Sequence, residues 1–199
     1  MIKKILLSLF ALICLIIALF IGAQMVAVSQ TKSALTNASS DYTYGNEDGD
    51  LTVVEFVKYT CPHCRSLHPV IMEAVKQDGN VRYIPRPLPS EVKDVHLAYA
   101  AGEQGLFHLA HGALLKDPRI LEDGGIMAIA GTLGLDIKKL KTDMDSSKTQ
   151  QKINENIQLF LDMGLTRTPT FIIGGDTIFV PEGSPPTVQD FLQLFKEAR

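Results

Sequence analysis

The spacing of hydrophobic residues predicts a strand, a helix and a second strand between residues 51 and 84. Residues 51–59 (LTVVEFVKY) form a β-branched and aromatic run of the length expected for a strand. Apolar residues then recur at helical spacing until an Asp-Gly pair at residues 78–79 interrupts the pattern. Residues 81–84 return to a strand-like pattern. The middle of the chain is therefore predicted to form a strand, helix, strand unit.

The remainder of the chain predicts a helical stretch, a hairpin and a final helix. A helical insertion is expected at about residues 90–163, because apolar residues recur there at helical spacing in five segments: residues 92–104, 106–115, 125–133, 137–144 and 150–163. Residues 171–180 predict a β-hairpin around a Gly-Gly-Asp turn. Residues 188–198 predict an amphipathic helix with Thr187 as its N-cap. The expected fold class is α/β, with the insertion between two halves of the sheet.

The N-terminal residues predict export. Two lysines are followed by an almost wholly apolar run and then by small residues, so residues 1–23 are interpreted as a signal peptide or a membrane anchor, with cleavage the favoured alternative. Residues 24–40 are polar and rich in Ser, Thr and Ala, which predicts a linker. Residues 41–199 have the length of one domain. We expect a periplasmic or otherwise extracytoplasmic location, with anchoring at a membrane if residues 1–23 are retained.

Charge argues against nucleic acid as a partner. Only three of the 19 Lys and Arg residues, and none of the 22 acidic residues, precede residue 41, so the predicted domain carries a net charge of −6. Proteins that bind nucleic acid usually present a basic surface to the phosphates.

The segment Cys61-Pro62-His63-Cys64 predicts redox chemistry, because two thiols three positions apart can alternate between a dithiol and a disulfide. It lies where the predicted strand ends and the helix begins. A helix N-terminus presents unpaired N–H groups and a partial positive charge, which stabilise a thiolate at Cys61. Pro62 suits the first helical turn, and a charged His63 would add a cation beside the thiolate.

A metal-binding module that uses the CxxC is the alternative from another functional class. Structural zinc usually takes four ligands, and no second CxxC follows. Haem attachment needs a His directly after the second cysteine, where Arg65 stands. We therefore predict no metal ligands, and no cofactor other than a redox-active disulfide between Cys61 and Cys64.

Two features distant from the cysteines fit a redox site. Glu55 is a lone acid inside the apolar strand, and burial would raise its pKa and let it relay a proton to or from Cys64. An acid that points to solvent at a sheet edge is the ordinary alternative. Thr168 and Pro169 directly precede the predicted hairpin, and Pro cannot donate to a sheet ladder. On general grounds this X-Pro bond would be trans.

Residues 44–199 resemble the DsbA-like thiol:disulfide oxidoreductases, a family with a thioredoxin fold. The resemblance rests on VVEFVKYTCPHC at residues 53–64, on RSLHP directly after it, on GLD at residues 134–136 and on TPTFIIGG at residues 168–175. It implies a thioredoxin fold with an inserted helical subdomain, a cis bond before Pro169, substrate binding at Thr168 and Pro169, and a buried acid at Glu55. Its Pro-His dipeptide is that of DsbA itself. Thr168 departs from the Val of the best-known DsbA oxidases, and threonine at this position is also common in thioredoxins and in isomerase-type relatives.

The resemblance implies an enzyme that exchanges disulfides with protein thiols. The expected role is a dithiol oxidase that introduces disulfides into unfolded, cysteine-containing exported polypeptides through Cys61 and Cys64. A reductase or isomerase of the same compartment is the alternative, and a metal-binding module is more distant. By analogy, a DsbB-like membrane redox partner would reoxidise the enzyme.

Overall fold

The computed structural model describes the backbone of residues 2–199 and the side chains of residues 13–22 and 29–199. It contains eight α-helices and five strands in this described part. The elements in chain order are α1 (Ile2–Thr36), β1 (Tyr44–Gly45), β2 (Leu51–Val57), α2 (Pro62–Asp78), β3 (Val81–Pro87), α3 (Asp94–Gly102), α4 (Phe107–Lys116), α5 (Gly125–Thr132), α6 (Ile137–Met144), α7 (Ser147–Asp162), β4 (Thr170–Ile173), β5 (Thr177–Phe179) and α8 (Val188–Glu197).

The five strands form one mixed sheet in the order β1-β3-β2-β4-β5. The central strand β2 pairs parallel with β3 and antiparallel with β4, and the outer strands β1 and β5 are antiparallel to their neighbours. Helices α3 to α7 lie in the chain between β3 and β4, so the insertion separates the two halves of the sheet. The predicted α/β fold with an inserted helical subdomain is confirmed.

Both faces of β2 are buried, which explains why its sequence is almost continuously apolar. Successive strand side chains point to opposite faces. Val53 packs in a cluster with α2 and α8, whereas Val54 and Phe56 pack in a cluster that includes the end of α1 and residues of α7. The sheet is thus covered on both sides, and the end of β2 that leads to α2 lies between two packed layers.

The boundaries of the C-terminal helix follow the sequence prediction. Helix α8 begins at Val188 with Thr187 as N-cap, and Thr187 and Asp190 form a reciprocal capping box. These bonds satisfy N–H groups that a helix start leaves without intrahelical partners.

The segment predicted as a linker, residues 24–40, has a different structure. Helix α1 continues to Thr36, and Leu35 is buried to 1% exposure against the domain. Arg86 of β3 donates to the carbonyl oxygens of Ala34, Leu35 and Asn37 at 2.8–2.9 Å. The last carbonyls of a helix need donors from elsewhere. Composition did not show this packing, because the donors come from a strand about fifty residues away.

The interpretation of residues 1–23 as a signal peptide or membrane anchor falls largely on side chains outside the described residues. The structure places residues 2–23 within helix α1. Among the residues that the structure describes, no helix combines the length and the apolar character needed to cross a membrane.

Candidate active site

Cys61 and Cys64 lie at the start of α2, as the sequence predicts. Cys61 is the N-cap residue, with extended backbone angles of φ −77° and ψ 121°, and Pro62 occupies the first helical turn. Both cysteines are free thiols; Cys61 is partly exposed and Cys64 is fully buried. The site is therefore in its dithiol form, and Cys61 is the sulfur that an incoming group can reach.

Hydrogen bonds from α2 stabilise the thiolate of Cys61. Donation from the Cys64 thiol is the largest cause that lowers the pKa of Cys61, from 9.0 to about 5. Backbone N–H groups of Cys64 and His63 and the Thr168 side chain also lower the pKa, while burial opposes them. His63 contributes through its backbone N–H, and its side chain is exposed.

Cys64 has the opposite character. The interaction with Cys61, burial and the nearby charge of Glu55 all raise the pKa of Cys64 far above its ordinary value. The backbone N–H of Lys58 donates to its sulfur at 3.5 Å. The two thiols thus differ strongly in acidity, and only Cys61 is a thiolate at neutral pH.

Glu55 is buried beneath the cysteines, with 1% of its surface exposed. Burial raises its pKa from 4.5 to about 8; a hydrogen bond from the Tyr83 hydroxyl lowers it, and the charge of Cys61 raises it further. An acid at a solvent-facing sheet edge, the ordinary alternative, is excluded by this burial. A carboxyl group with such a pKa holds a proton at pH 7 and can release it without a large change in pH.

Thr168 and Pro169 lie next to Cys61 although they are more than a hundred positions away in the chain. When protonated, the Cys61 thiol donates to the carbonyl oxygen of Thr168 at 3.5 Å, and the Thr168–Pro169 peptide bond is cis. The cis bond that the resemblance implied is confirmed. Strand β4 begins directly after it and pairs with β2, the strand that precedes Cys61. Because the two strands are antiparallel, the end of β2 lies beside the start of β4, and both segments lie at the same end of the strands.

Two neighbours of the site were not predicted from the sequence. Tyr83 of β3 bonds to Glu55, and Arg65 of α2 donates to the carbonyl oxygens of Leu114 and Tyr59 at 2.8 and 3.3 Å. The Tyr83 contact could have been predicted from the sequence, since a buried tyrosine hydroxyl usually has a hydrogen-bond partner and Glu55 is the acid of the adjacent strand. The contacts of Arg65 could not have been predicted from the sequence, because its acceptors are backbone atoms whose position depends on the tertiary fold.

The arrangement combines an acidic, accessible thiol, a buried second thiol and a protonated carboxyl group. These groups can form and break a disulfide by exchange. Among the described residues, no group of three or more His, Cys, Asp or Glu side chains is arranged to hold a metal ion.

Comparison with known proteins places this site in a family. A family model described as Thioredoxin matches residues 37–196. A thioredoxin-like oxidoreductase from Silicibacter pomeroyi DSS-3 is 29% identical, with a TM-score of 0.71 over 83% of this chain and 93% of that chain. The catalytic domain of Proteus mirabilis ScsC has a TM-score of 0.73 over 86% of this chain and 96% of its own; at 21% identity this shows the fold alone.

Curated relatives are matched over only part of their length. The thiol:disulfide interchange protein DsbA of Bordetella pertussis is 27% identical over 135 residues, which are 64% of this chain and 65% of that protein. The Na(+)/H(+) antiporter NhaA 1 of Salinispora arenicola is 29% identical over 143 residues, or 68% of this chain, but this chain spans only 22% of its length. Since the family model covers most of the chain and the DsbA relatives agree with it, the chain belongs to the thioredoxin family as a DsbA-like member.

Proposed function

We propose that this protein is an exported thiol:disulfide oxidoreductase and that it acts as a dithiol oxidase. Its disulfide between Cys61 and Cys64 would be transferred to unfolded, cysteine-containing polypeptides, with no other cofactor. The observation that carries the proposal is the difference between the two thiols, because Cys61 has a pKa of about 5 while that of Cys64 is raised.

The reaction begins with the oxidised enzyme. A client thiolate attacks the accessible Cys61 sulfur, the Cys61–Cys64 bond breaks, and its electron pair passes to Cys64. A second client thiolate then attacks the client sulfur of the mixed disulfide and expels the Cys61 thiolate. The client has lost two electrons and two protons, and the enzyme leaves as the dithiol.

Glu55 is proposed to donate a proton to Cys64 when the enzyme is reduced and to accept one from Cys64 when it is reoxidised. Because the pKa of Cys64 is raised, a thiolate formed there takes up a proton, and Glu55 is the buried acid nearby that holds one at pH 7. The Glu55 carboxylate left behind regains a proton from water, as its pKa of about 8 requires at pH 7, and on reoxidation it releases that proton before it takes up the one that leaves Cys64. The carboxyl group thereby avoids an unpaired charge on Cys64 inside the domain.

The acidity of Cys61 favours the oxidase direction. A stabilised thiolate stabilises the reduced enzyme, so that the disulfide form is a stronger oxidant. This stabilisation is complete at pH values above 9.0, the ordinary pKa of the thiol. It decreases as the pH falls below 9.0 and is lost when the pH reaches about 5. The reduced form is therefore favoured at neutral pH and loses that advantage in acid.

Thr168 and Pro169 are proposed to bind the client. The Thr168 carbonyl lies against the Cys61 sulfur, so an extended client disulfide-bonded to Cys61 passes along this segment and can pair with its main chain. Recognition through main-chain atoms suits unfolded exported chains of varied sequence. A DsbB-like membrane redox partner is proposed to restore the disulfide, in a periplasmic or other extracytoplasmic compartment.

A reductase or isomerase is the second candidate, favoured by the Thr that precedes Pro169. The same sulfur chemistry then runs in reverse, with the Cys61 thiolate attacking a client disulfide and Cys64 resolving the mixed disulfide. The reduction potential separates the two directions.

The proposal is tested by equilibrating the purified chain with glutathione buffers and measuring the reduced fraction. We expect a potential well above the value of about −270 mV typical of thioredoxin, towards the value of about −120 mV for DsbA. A potential near that of thioredoxin would overturn the oxidase assignment in favour of the second candidate. Cys14→Ser is the matched control, since it removes the third thiol and leaves the pair, and it should not change the result.

A further inference from the structure

A cavity of about 410 Å³ lies directly beside the Thr168 segment. We call it the α7 cavity. Its walls include Lys58, Leu88, Ile157, Phe160, Leu161 and the segment that ends in Arg167 and Thr168. Thr168 lines the cavity, and its carbonyl oxygen lies 3.5 Å from the Cys61 sulfur, so the cavity is close to the reactive sulfur. A polypeptide attached to Cys61 therefore has an opening for a side chain close by.

The floor of the α7 cavity is apolar. Ile157, Phe160 and Leu161 are spaced along one face of α7, and Leu88, the residue after β3, also lines the cavity. Leu161 is 61% exposed, which leaves much of its apolar surface in contact with water. Burying such surface under an apolar client side chain is favourable in proportion to the area removed from water.

The charged groups at the rim are both basic. Lys58 and Arg167 line the α7 cavity, and none of its described lining residues is acidic. Lys58 has no carboxylate partner in the part of the chain that the structure describes. This local cationic pair stands out in a domain whose net charge is −6. At ionic strengths near 0.1 M, charges act over about 10 Å, so the local electrostatic field here comes from Lys58, Arg167 and the Glu182 carboxylate that pairs with Arg167, and more distant acids contribute little.

The ion pair between Arg167 and Glu182 can be replaced by a pair with another carboxylate. The Arg167 guanidinium pairs with Glu182 at 2.7 Å, but the two side chains are 61% and 70% exposed. Exposed ion pairs contribute little to stability, so a client carboxylate can replace Glu182 at small cost. Arg167 also borders a second cavity of about 380 Å³ that includes His63 and Glu182. Arg167 thus lines both cavities.

We propose that the α7 cavity selects client segments in which an apolar side chain and an acidic residue flank the reacting cysteine. The apolar group would occupy the floor, and the carboxylate would pair with Lys58 and Arg167. The inference rests on the proposed exchange at Cys61 and adds a preference to recognition by main chain. Rim charges of this kind act mainly on the association rate.

The test uses the oxidised chain and dithiol peptides that differ only beside one cysteine. The first peptide carries Leu and Glu there, the second Leu and Lys, and the third Gly and Glu. Second-order oxidation rates are measured by stopped-flow at low peptide concentration. We expect the Leu-Glu peptide to react about fivefold faster than the Leu-Lys peptide at low salt, and the ratio to decrease as salt is added. The Leu-Glu peptide should also react faster than the Gly-Glu peptide.

Variants assign these ratios to the cavity. Lys58→Gln combined with Arg167→Gln should bring the ratio between the Glu and Lys peptides to about one, whereas Arg119→Gln, an arginine outside the cavity, should leave it unchanged. Leu161→Ser should remove the preference for Leu over Gly, and Leu121→Ser, at a leucine of 68% exposure elsewhere, should not. Equal rates for all three peptides in the parent chain would overturn the inference, and so would equal effects of cavity and control variants. Failure to oxidise any peptide would instead contradict the proposed function.

Discussion

The hydroxyl of Tyr83 donates a hydrogen bond to Oε2 of Glu55, and both side chains are buried, with 0% and 1% of their surfaces exposed. This bond favours the ionised carboxylate and so opposes the effect of burial on the pKa of Glu55. A tyrosine of the neighbouring strand thus limits how firmly Glu55 holds its proton.

Tyr83→Phe should raise the pKa of Glu55 above its value of about 8, by about one pH unit, because the hydrogen bond that lowers it is removed. The ¹³C chemical shift of the Glu55 carboxyl carbon, followed against pH, measures this change. Tyr42→Phe is the control, since that hydroxyl donates to Glu103 instead. An unchanged or lower midpoint in Tyr83→Phe would contradict the role assigned to the bond.

Glu55→Gln should stabilise the domain at neutral and alkaline pH. A raised folded-state pKa means that the stability of the parent chain is fully present below 4.5 and decreases as the pH rises through about 8. At pH 8 the free energy of unfolding of the parent chain should be lower than that of the Gln variant by on the order of 4 kcal/mol, since one pKa unit corresponds to about 1.4 kcal/mol. Urea unfolding at pH 4 and pH 8 measures it. The two proteins should agree at pH 4; a difference that does not depend on pH would refute the explanation.

Cys64→Ala should raise the pKa of Cys61 from about 5 towards 9.0, because donation from Cys64 is the largest cause of the lowered value. Alkylation by iodoacetamide at pH 6 should then slow by about tenfold, since the reaction requires the thiolate. The measurement is the alkylation rate against pH. Cys14→Ala should leave the profile of Cys61 unchanged. A midpoint still near 5 in Cys64→Ala would show that the backbone N–H groups are sufficient.

Leu35→Ala should destabilise the domain by about 2–5 kcal/mol, the range for a large buried side chain cut back to a methyl group. Thermal or denaturant unfolding measures the change. Leu121→Ala, at 68% exposure, is the matched control and should have little effect. Equal effects for the two variants would show that the end of α1 is not packed on the domain as described.

Two buried histidines should make the domain sensitive to acid. Burial lowers the pKa of His68 to about 4 and that of His111 well below 6.5, so stability is lost as the pH falls from 6.5. His111→Asn keeps a group that can bond to the Tyr59 hydroxyl, now paired with Nδ1 at 2.9 Å. We expect the variant to be less stable at pH 7 but to lose less stability between pH 6.5 and 4. The exposed His63→Asn should show the parent slope, and an unchanged slope in His111→Asn would contradict the prediction.

Local patterns in the sequence were sufficient for four of the five strands, the start of α2 and the dithiol, whereas the two-residue strand β1 is too short to show a period. The run that precedes Cys61 and the helical spacing after it depend on neighbouring residues only, so their periods are visible in the chain. The cis bond at Thr168–Pro169 came from the resemblance, because the intrinsic preference of an X-Pro bond is trans.

Contacts between distant segments were missed. Periodic patterns in the sequence do not show which distant residues meet in the fold. Examples are Arg86 with the end of α1, Arg65 with Leu114, and Lys58 with Arg167 at the α7 cavity. The polar composition of residues 24–40 predicted a linker for the same reason: the apolar contact of Leu35 and the donors for the last carbonyls belong to the folded domain. Composition describes a segment alone, and burial depends on its partners.

The Thr168 carbonyl that faces Cys61 belongs to a segment 107 positions later in the chain. A polypeptide synthesised from its N-terminus therefore exposes both cysteines before the residues that shape their surroundings have been made. A folded copy that oxidised such a nascent chain would join Cys61 to Cys64, which is the disulfide of the proposed oxidase. With only these two cysteines beyond residue 14, a newly made chain cannot be cross-linked internally into a wrong pairing within its domain.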